Sequence, residues 1–255
     1  MTAATTYPSL AGETVFVTGG ATGIGATLVE AFARQGSRVG FVDVDATAGE
    51  ALADGLAADG ATRPWFRDVD VTDVAALSGA VDDAVEALGP LLGLINNVGN
   101  DTRIPPAELD EARWRNCMAV NLDAAFFASR AAFPSMRARG RGSIVNLSSI
   151  NAILGPPNMP GYVTAKAGLI GMSKALARDY GDAGVRVNAI LPGWVVTDRQ
   201  LAKWLTPEAE EEWMRHVALK RRLEPADVAN LALFLTADDS AMITGQSFTV
   251  DGGRT

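Results

Sequence analysis

The chain has 255 residues, 48% of them apolar, one cysteine, one histidine and a formal net charge of -8. That acidity excludes the clustered Lys and Arg by which proteins grip nucleic acid or anionic lipid, so a small-molecule partner is expected, with no nucleic acid and no membrane. Lone Cys117 and His216 leave no disulfide, no thiolate cluster, no usual zinc site and no Ser-His-Asp hydrolase, and no metal is expected.

The length suits one large core, so residues 1–255 are read as a single domain. The opening MTAATTYPSLAGE lacks the basic start and apolar run of a secretion signal. No apolar stretch approaches the roughly eighteen residues needed to span a bilayer, and a cytoplasmic location is expected.

Strand-like and helical segments alternate along the chain. TVFVTG (14–19) leads into a helix over 23–36, and RVGFVD (38–43) into another over 45–59. PWFRDVDV (64–71) precedes a helix over 73–88, and LLGLINN (91–97) a long one over 110–138. GSIVNLSS (142–149) is followed by a helix over 160–180, and VRVNAILPG (185–193) by a helical stretch over 198–219. A short helix over 225–236 comes before QSFTVDGG (246–253). Several strands are apolar without alternation, as when helices cover both faces. Such βα order predicts an α/β fold, a Rossmann-type doubly wound parallel sheet of about seven strands. Residues 194–222 differ in texture, charged and bearing tryptophan, and are expected to form a lid over a site at the sheet's end.

TGGATGIG places Gly19, Thr22, Gly23, Ile24 and Gly25 at the turn from first strand to first helix. Glycines there let backbone approach a pyrophosphate, whose charge the helix N-terminus stabilises. Asp43 ends the second strand, where a carboxylate accepts from ribose hydroxyls and repels a 2'-phosphate. Neither Thr22 nor Val44 supplies a compensating cation, so NAD is expected rather than NADP. Asp68 and Val69 end the third strand, where a carboxylate and a backbone amide suit adenine, while Asn96, Asn97 and Gly99 end the fourth.

Ser149, Tyr162 and Lys166 are the candidate chemical groups. On a helix, Lys166 lies one turn beyond Tyr162, and Ser149 at the end of the fifth strand can reach the same cavity. A phenol titrates near 10, too high for a base at neutral pH, and a neighbouring ammonium favours its ionised form. Tyr162 is therefore read as the proton acceptor, Ser149 as the group orienting the substrate oxygen. Lys166 is read as lowering the tyrosine pKa and holding the nicotinamide ribose.

With TGGATGIG, DV at 68–69, NNVG at 96–99, Asn121 in AVNLDA, Ser149, YVTAK and LPGWVVT at 191–197, residues 12–253 resemble the short-chain dehydrogenase/reductase family. The resemblance implies that Asn121 shapes its helix and joins the catalytic set by holding a water in a proton relay through Lys166. It also implies that backbone from Pro192 through Gly193 and Val195 to Thr197 holds the carboxamide, with the Thr197 hydroxyl contributing. A homotetramer built on the two long helices is implied as well. Val98 stands where the family usually has alanine.

YPSLAGE (7–13), NNVGNDTR (96–103) and TDRQLAKWLTPEAEEE (197–212) look like sugar 1-dehydrogenases acting on D-xylose, L-arabinose or L-fucose. Asn100, Asp101, Asn151, Arg199 and Gln200 fall on loops suited to a sugar's hydroxyls, and Trp204 is placed to cover an apolar sugar face or to pack the lid. Ile150, Asn151, Ala152 and Ile153 depart from the aromatic and histidine those enzymes carry, as does Ile104. Those departures admit another secondary alcohol or ketone, such as a sugar acid, as substrate; a 3-oxoacyl reductase and a non-catalytic dinucleotide sensor are the further alternatives, Asp43 arguing against the former and the intact Ser149, Tyr162 and Lys166 against the latter.

Overall fold

Residues 5–255 are described by a computed structural model. β1 (Thr14–Thr18) shows why the strands read as unbroken apolar runs. Val15 and Val17 point into one core layer and Phe16 into the other, so every position is buried although the pleat alternates.

The sheet is all parallel: β1, β2 (Arg38–Asp43), β3 (Trp65–Asp68), β4 (Leu91–Asn96), β5 (Gly142–Leu147), β6 (Val185–Pro192) and β7 (Ser247–Val250), in spatial order 3-2-1-4-5-6-7. One face is covered by α1 (Gly23–Arg34), α2 (Ala46–Ala58) and a C-terminal helix, α10 (Pro225–Thr236). The other is covered by α3 (Val74–Leu88), α5 (Ala124–Arg139) and α7 (Pro160–Gly181). The chain winds outward from β1 to β3, then returns to lay β4 on the other side of β1. That reversal opens a crevice beyond the carboxyl ends of β1 and β4, where open α/β sheets bind ligands.

A buried polar chain fixes the middle of the sheet. Asn96 Nδ2 donates to Asn146 Oδ1 (2.8 Å), and Asn146 Nδ2 donates to Ser173 Oγ (2.8 Å), tying β4, β5 and α7 together. Ser148 Oγ donates to the Lys166 carbonyl (2.7 Å), so the end of β5 holds the first turns of α7 in place.

Two expected helices are broken. The stretch over 110–138 is α4 (Glu111–Met118), a π-helical segment Ala119–Asp123, and α5. The stretch over 198–219 is α8 (Asp198–Lys203) and α9 (Pro207–His216), separated because the Thr206 side chain caps α9 by accepting from Ala209 N (3.2 Å) and Pro207 starts it. β3 ends at Asp68, at the strand end read at Asp68 and Val69 and inside the run 64–71. A short helix, α6 (Asn151–Leu154), follows Ser149 where only loop was expected. Among the described residues no helix is long and apolar enough to cross a membrane.

Candidate active site

A cleft of about 830 Å³ runs across the carboxyl ends of the strands. At one end the chain leaves β1 through Gly19, whose φ of +67° suits glycine. A Cβ on Gly25 would stand 1.8 Å from the Gly19 carbonyl oxygen, so only glycine lets α1 start this close to the turn. Helix α1 has no side-chain cap and no acidic residue in its first turn, which leaves its N-terminal amides and dipole for an anion.

Asp43 braces this turn. Its Oδ2 accepts from Ala21 N (2.9 Å) and its Oδ1 from Asp45 N (3.1 Å), while the residue lines the cleft. Asn97 Nδ2 donates to the carbonyls of Gly19 (2.8 Å) and Thr18 (3.2 Å), clamping the end of β4 to the same turn. Thr22, Gly23, Ile24, Gly99, Pro192, Gly193, Val195 and Thr197 line the cleft. Asp68 does not: it is exposed and lies off the cleft wall. Val69 lines the cleft, but its N–H donates to the Asp43 carbonyl (2.9 Å) and is not free for an adenine. The Thr197 hydroxyl caps α8, accepting from Gln200 N (3.4 Å).

At the other end, Tyr162 and Lys166 stand one turn apart on α7, with Lys166 Nζ 5.7 Å from the Tyr162 ring centroid. Lys166 is 2% exposed, and its ammonium donates to the carbonyls of Leu147 (2.8 Å) and Val98 (3.4 Å). Burial draws its pKa down to about 8. Ser149 Oγ accepts from Asn151 N (3.1 Å) and faces Tyr162. Burial pushes the Tyr162 phenol well above its ordinary value, against the pull of Ser149 and Arg199; Asp101 and Cys117 push it further up. The downward pull expected from Lys166 is therefore supplied by Ser149 and Arg199 in this arrangement.

Asn121 is buried behind the cleft, not on its wall. It sits in the π-helical segment, and its Nδ2 reaches back to the Cys117 carbonyl (3.0 Å). Its Oδ1 accepts from Asn100 N (2.8 Å) and its Nδ2 donates to Asn100 O (3.2 Å), so both backbone polar groups of Asn100 are held.

The expected substrate residues divide. Asp101, Asn151, Arg199 and Gln200 line the cleft, but Asn100 and Trp204 do not. Asn100 Oδ1 is turned to its own loop, accepting from Thr102 Oγ1 (2.7 Å) and from Arg199 Nη2 (2.9 Å). Trp204 packs under the Arg103 guanidinium, 4.4 Å from its ring centroid, which ties the end of α8 to the loop after β4. Missed were Ile150, Pro156, Pro157, Met159, Trp194 and Trp213, which give this end an apolar wall. GPPNMP joins Ser149 to Tyr162, and a loop with both ends at the site must border it.

A family model described as enoyl-(acyl carrier protein) reductase matches residues 19–255. The chain is 45% identical over 247 residues to a probable galactose dehydrogenase of Rhizobium meliloti, covering 97% of this chain and 96% of that protein. It is 40% identical to D-xylose 1-dehydrogenase of Caulobacter vibrioides, covering 97% of each. The fold superposes on 7 alpha-hydroxysteroid dehydrogenase complexed with NADH at a TM-score of 0.93 and 32% identity, covering 97% of this chain and 96% of that one. Full-length similarity, the seven-stranded parallel sheet and the glycine turn between β1 and α1 agree: the chain belongs to the short-chain dehydrogenase/reductase family and is an oxidoreductase acting on CH–OH donors.

Proposed function

We propose that the protein is an NAD-dependent sugar dehydrogenase that oxidises the anomeric hydroxyl of an aldose of the D-xylose or L-arabinose type to a lactone. The observation that carries this reading is one cleft with the uncapped α1 and Asp43 at one end and Ser149, Tyr162 and Lys166 at the other. The relatives named for galactose and D-xylose support the sugar. Asp43 supports NAD, because the cleft wall beside it is formed by Gly19, Thr22, Val44, Val69 and Val71, with no cation to receive a 2'-phosphate.

Bound in this cleft, the dinucleotide supplies the hydride acceptor. The residues then have the following work. The first-turn amides of α1 hold the pyrophosphate. Ser149 Oγ hydrogen-bonds the substrate hydroxyl and orients it toward Tyr162. Tyr162 Oη takes the hydroxyl proton as the C–H bond gives up its electron pair, and the C–O bond becomes a carbonyl. Burial favours the protonated phenol, so its ionised form depends on the groups that pull the other way, Ser149 and Arg199. Lys166, held by two carbonyls, has one N–H left for the ribose side of the cleft. Association through the long helices, α5 and α7, into a homotetramer belongs to the same proposal.

The test is absorbance of reduced cofactor with NAD or NADP against D-xylose, L-arabinose, D-galactose, L-fucose, secondary alcohols and sugar acids. Tyr162→Phe is expected to bind NADH normally and lose turnover by about 100-fold or more. A Tyr162→Phe enzyme with near-normal kcat, or a panel in which only non-sugar alcohols react, refutes the reading.

A further inference from the structure

The polar groups placed for a sugar are mostly spent on one another. Asp101, on the loop leaving β4, accepts from Arg199 Nη2 at one carboxylate oxygen (2.9 Å) and from Gln200 Nε2 at the other (2.8 Å). Arg199 and Gln200 form the first turn of α8. Gln200 Oε1 in turn accepts from Trp194 Nε1 (2.7 Å), and the Trp194 ring packs edge-on against Trp213 of α9, centroids 5.5 Å apart. The chain of contacts crosses the mouth of the cleft from the β4 loop to both lid helices.

We infer that Asp101 is a positioning residue and not a substrate ligand: it latches α8 across the cleft, and its charge beside Tyr162 is balanced by Arg199 only while the latch is made. The inference rests on Tyr162 being the proton acceptor. The charged and titratable groups acting on Tyr162 come from every side: Asp101 from the β4 loop, Arg199 from α8, Cys117 from α4, and Lys166 from α7 itself. Asp101 disfavours the phenolate and Arg199 favours it, so the pair is close to neutral when joined. Each partner also has a second tether. Arg199 holds Asn100 Oδ1 (2.9 Å), and Asp101 holds Gln200. Removing one charge therefore leaves the other near the phenol.

The test compares the pH dependence of kcat/KM for sugar oxidation in Asp101→Asn, Arg199→Met, Asp101→Glu and Tyr162→Phe, since this parameter reports the free enzyme's ionisation. Asp101→Asn leaves a lone cation, and the acidic limb is expected to move down by at least about half a pH unit; Arg199→Met leaves a lone anion and moves it up by a similar amount. Asp101→Glu, which keeps the charge, is expected to stay near the wild-type midpoint. NADH binding, read by fluorescence, is expected to be unchanged in all four and shows that each is folded. Should Asp101→Asn fail to bind NADH, Arg199→Met against Asp101→Glu decides. Midpoints that do not move, or move the same way, overturn the latch and leave Asp101 as a substrate ligand that raises KM alone. Turnover surviving in Tyr162→Phe instead overturns the assignment of the base.

Discussion

Lys166 ties the chemistry of the cleft to the stability of the fold, and Lys166→Met separates the two. The side chain is 2% exposed, and burial lowers its pKa from 10.5 to about 8. Below pH 8 the ammonium is charged in both states, and the native state bears the desolvation; a drop of this size corresponds to roughly 3 kcal/mol. Between pH 8 and 10.5 the unfolded chain holds the extra proton, so stability rises with pH, by about 2 kcal/mol from pH 7 to 9.5. Lys166→Met abolishes that rise. At pH 7 the substitution also strips the Leu147 and Val98 carbonyls of their donor, at about 1–3 kcal/mol for each buried group, so the absolute stability changes little and the slope is the diagnostic. Tyr162 and Cys117, both with pKa values raised by burial, destabilise either protein at alkaline pH; Lys166 also draws the Cys117 thiol down in the wild type, so the comparison is made in a Cys117→Ser background. Urea unfolding followed by circular dichroism at pH 7 and 9.5, without cofactor, measures the difference. Parallel pH dependences with and without Lys166→Met would refute the claim that this lysine is desolvated.

The nucleotide end yields two further expectations. Gly25→Ala puts a Cβ 1.8 Å from the Gly19 oxygen, so the turn must shift; a cost of about 1–3 kcal/mol and at least tenfold weaker NADH binding are expected, by thermal melting and fluorescence titration. Asp43→Ala removes the acceptor for Ala21 N and Asp45 N and the group that repels a 2'-phosphate. The NAD to NADP ratio of kcat/KM is expected to fall by at least about tenfold, and an unchanged ratio would assign Asp43 to bracing the turn alone.

Much of the fold was legible because both signals it needs are local. β-branched runs marked the strands, and alanine-rich segments the helices, so the parallel sheet followed from their alternation. What failed was continuity. The helical pattern over 110–138 carries no proline or glycine before Pro134, and the π-helical turn around Asn121 is favoured by a tertiary partner, the Asn100 peptide, which local sequence does not reveal. The break before Pro207 was different in kind: Thr206 and Pro207 are a cap and a first-turn proline, a stop-and-start signal that the charged periodicity around it obscured.

At the site, the division between what could and could not be read follows whether a residue's role depends on one partner or several. Gly25 is dictated by a single backbone approach, and a motif records it. Asp101, Arg199 and Gln200 were read as free hydrogen-bonding groups because each alone is one; nothing in their spacing along the chain shows that their bonds are made to each other. The same holds for Tyr162. The spacing to Lys166 pointed to an ammonium as the group that ionises the phenol, yet Lys166 lies against the ring face and spends two of its donors on carbonyls. The charges that act on the phenolic oxygen come from Asp101 and Arg199, brought there by the β4 loop and α8. In the proposed reaction the ionised fraction of Tyr162 depends on the Asp101–Arg199 contact between the β4 loop and α8, which couples the protonation of the base to that contact.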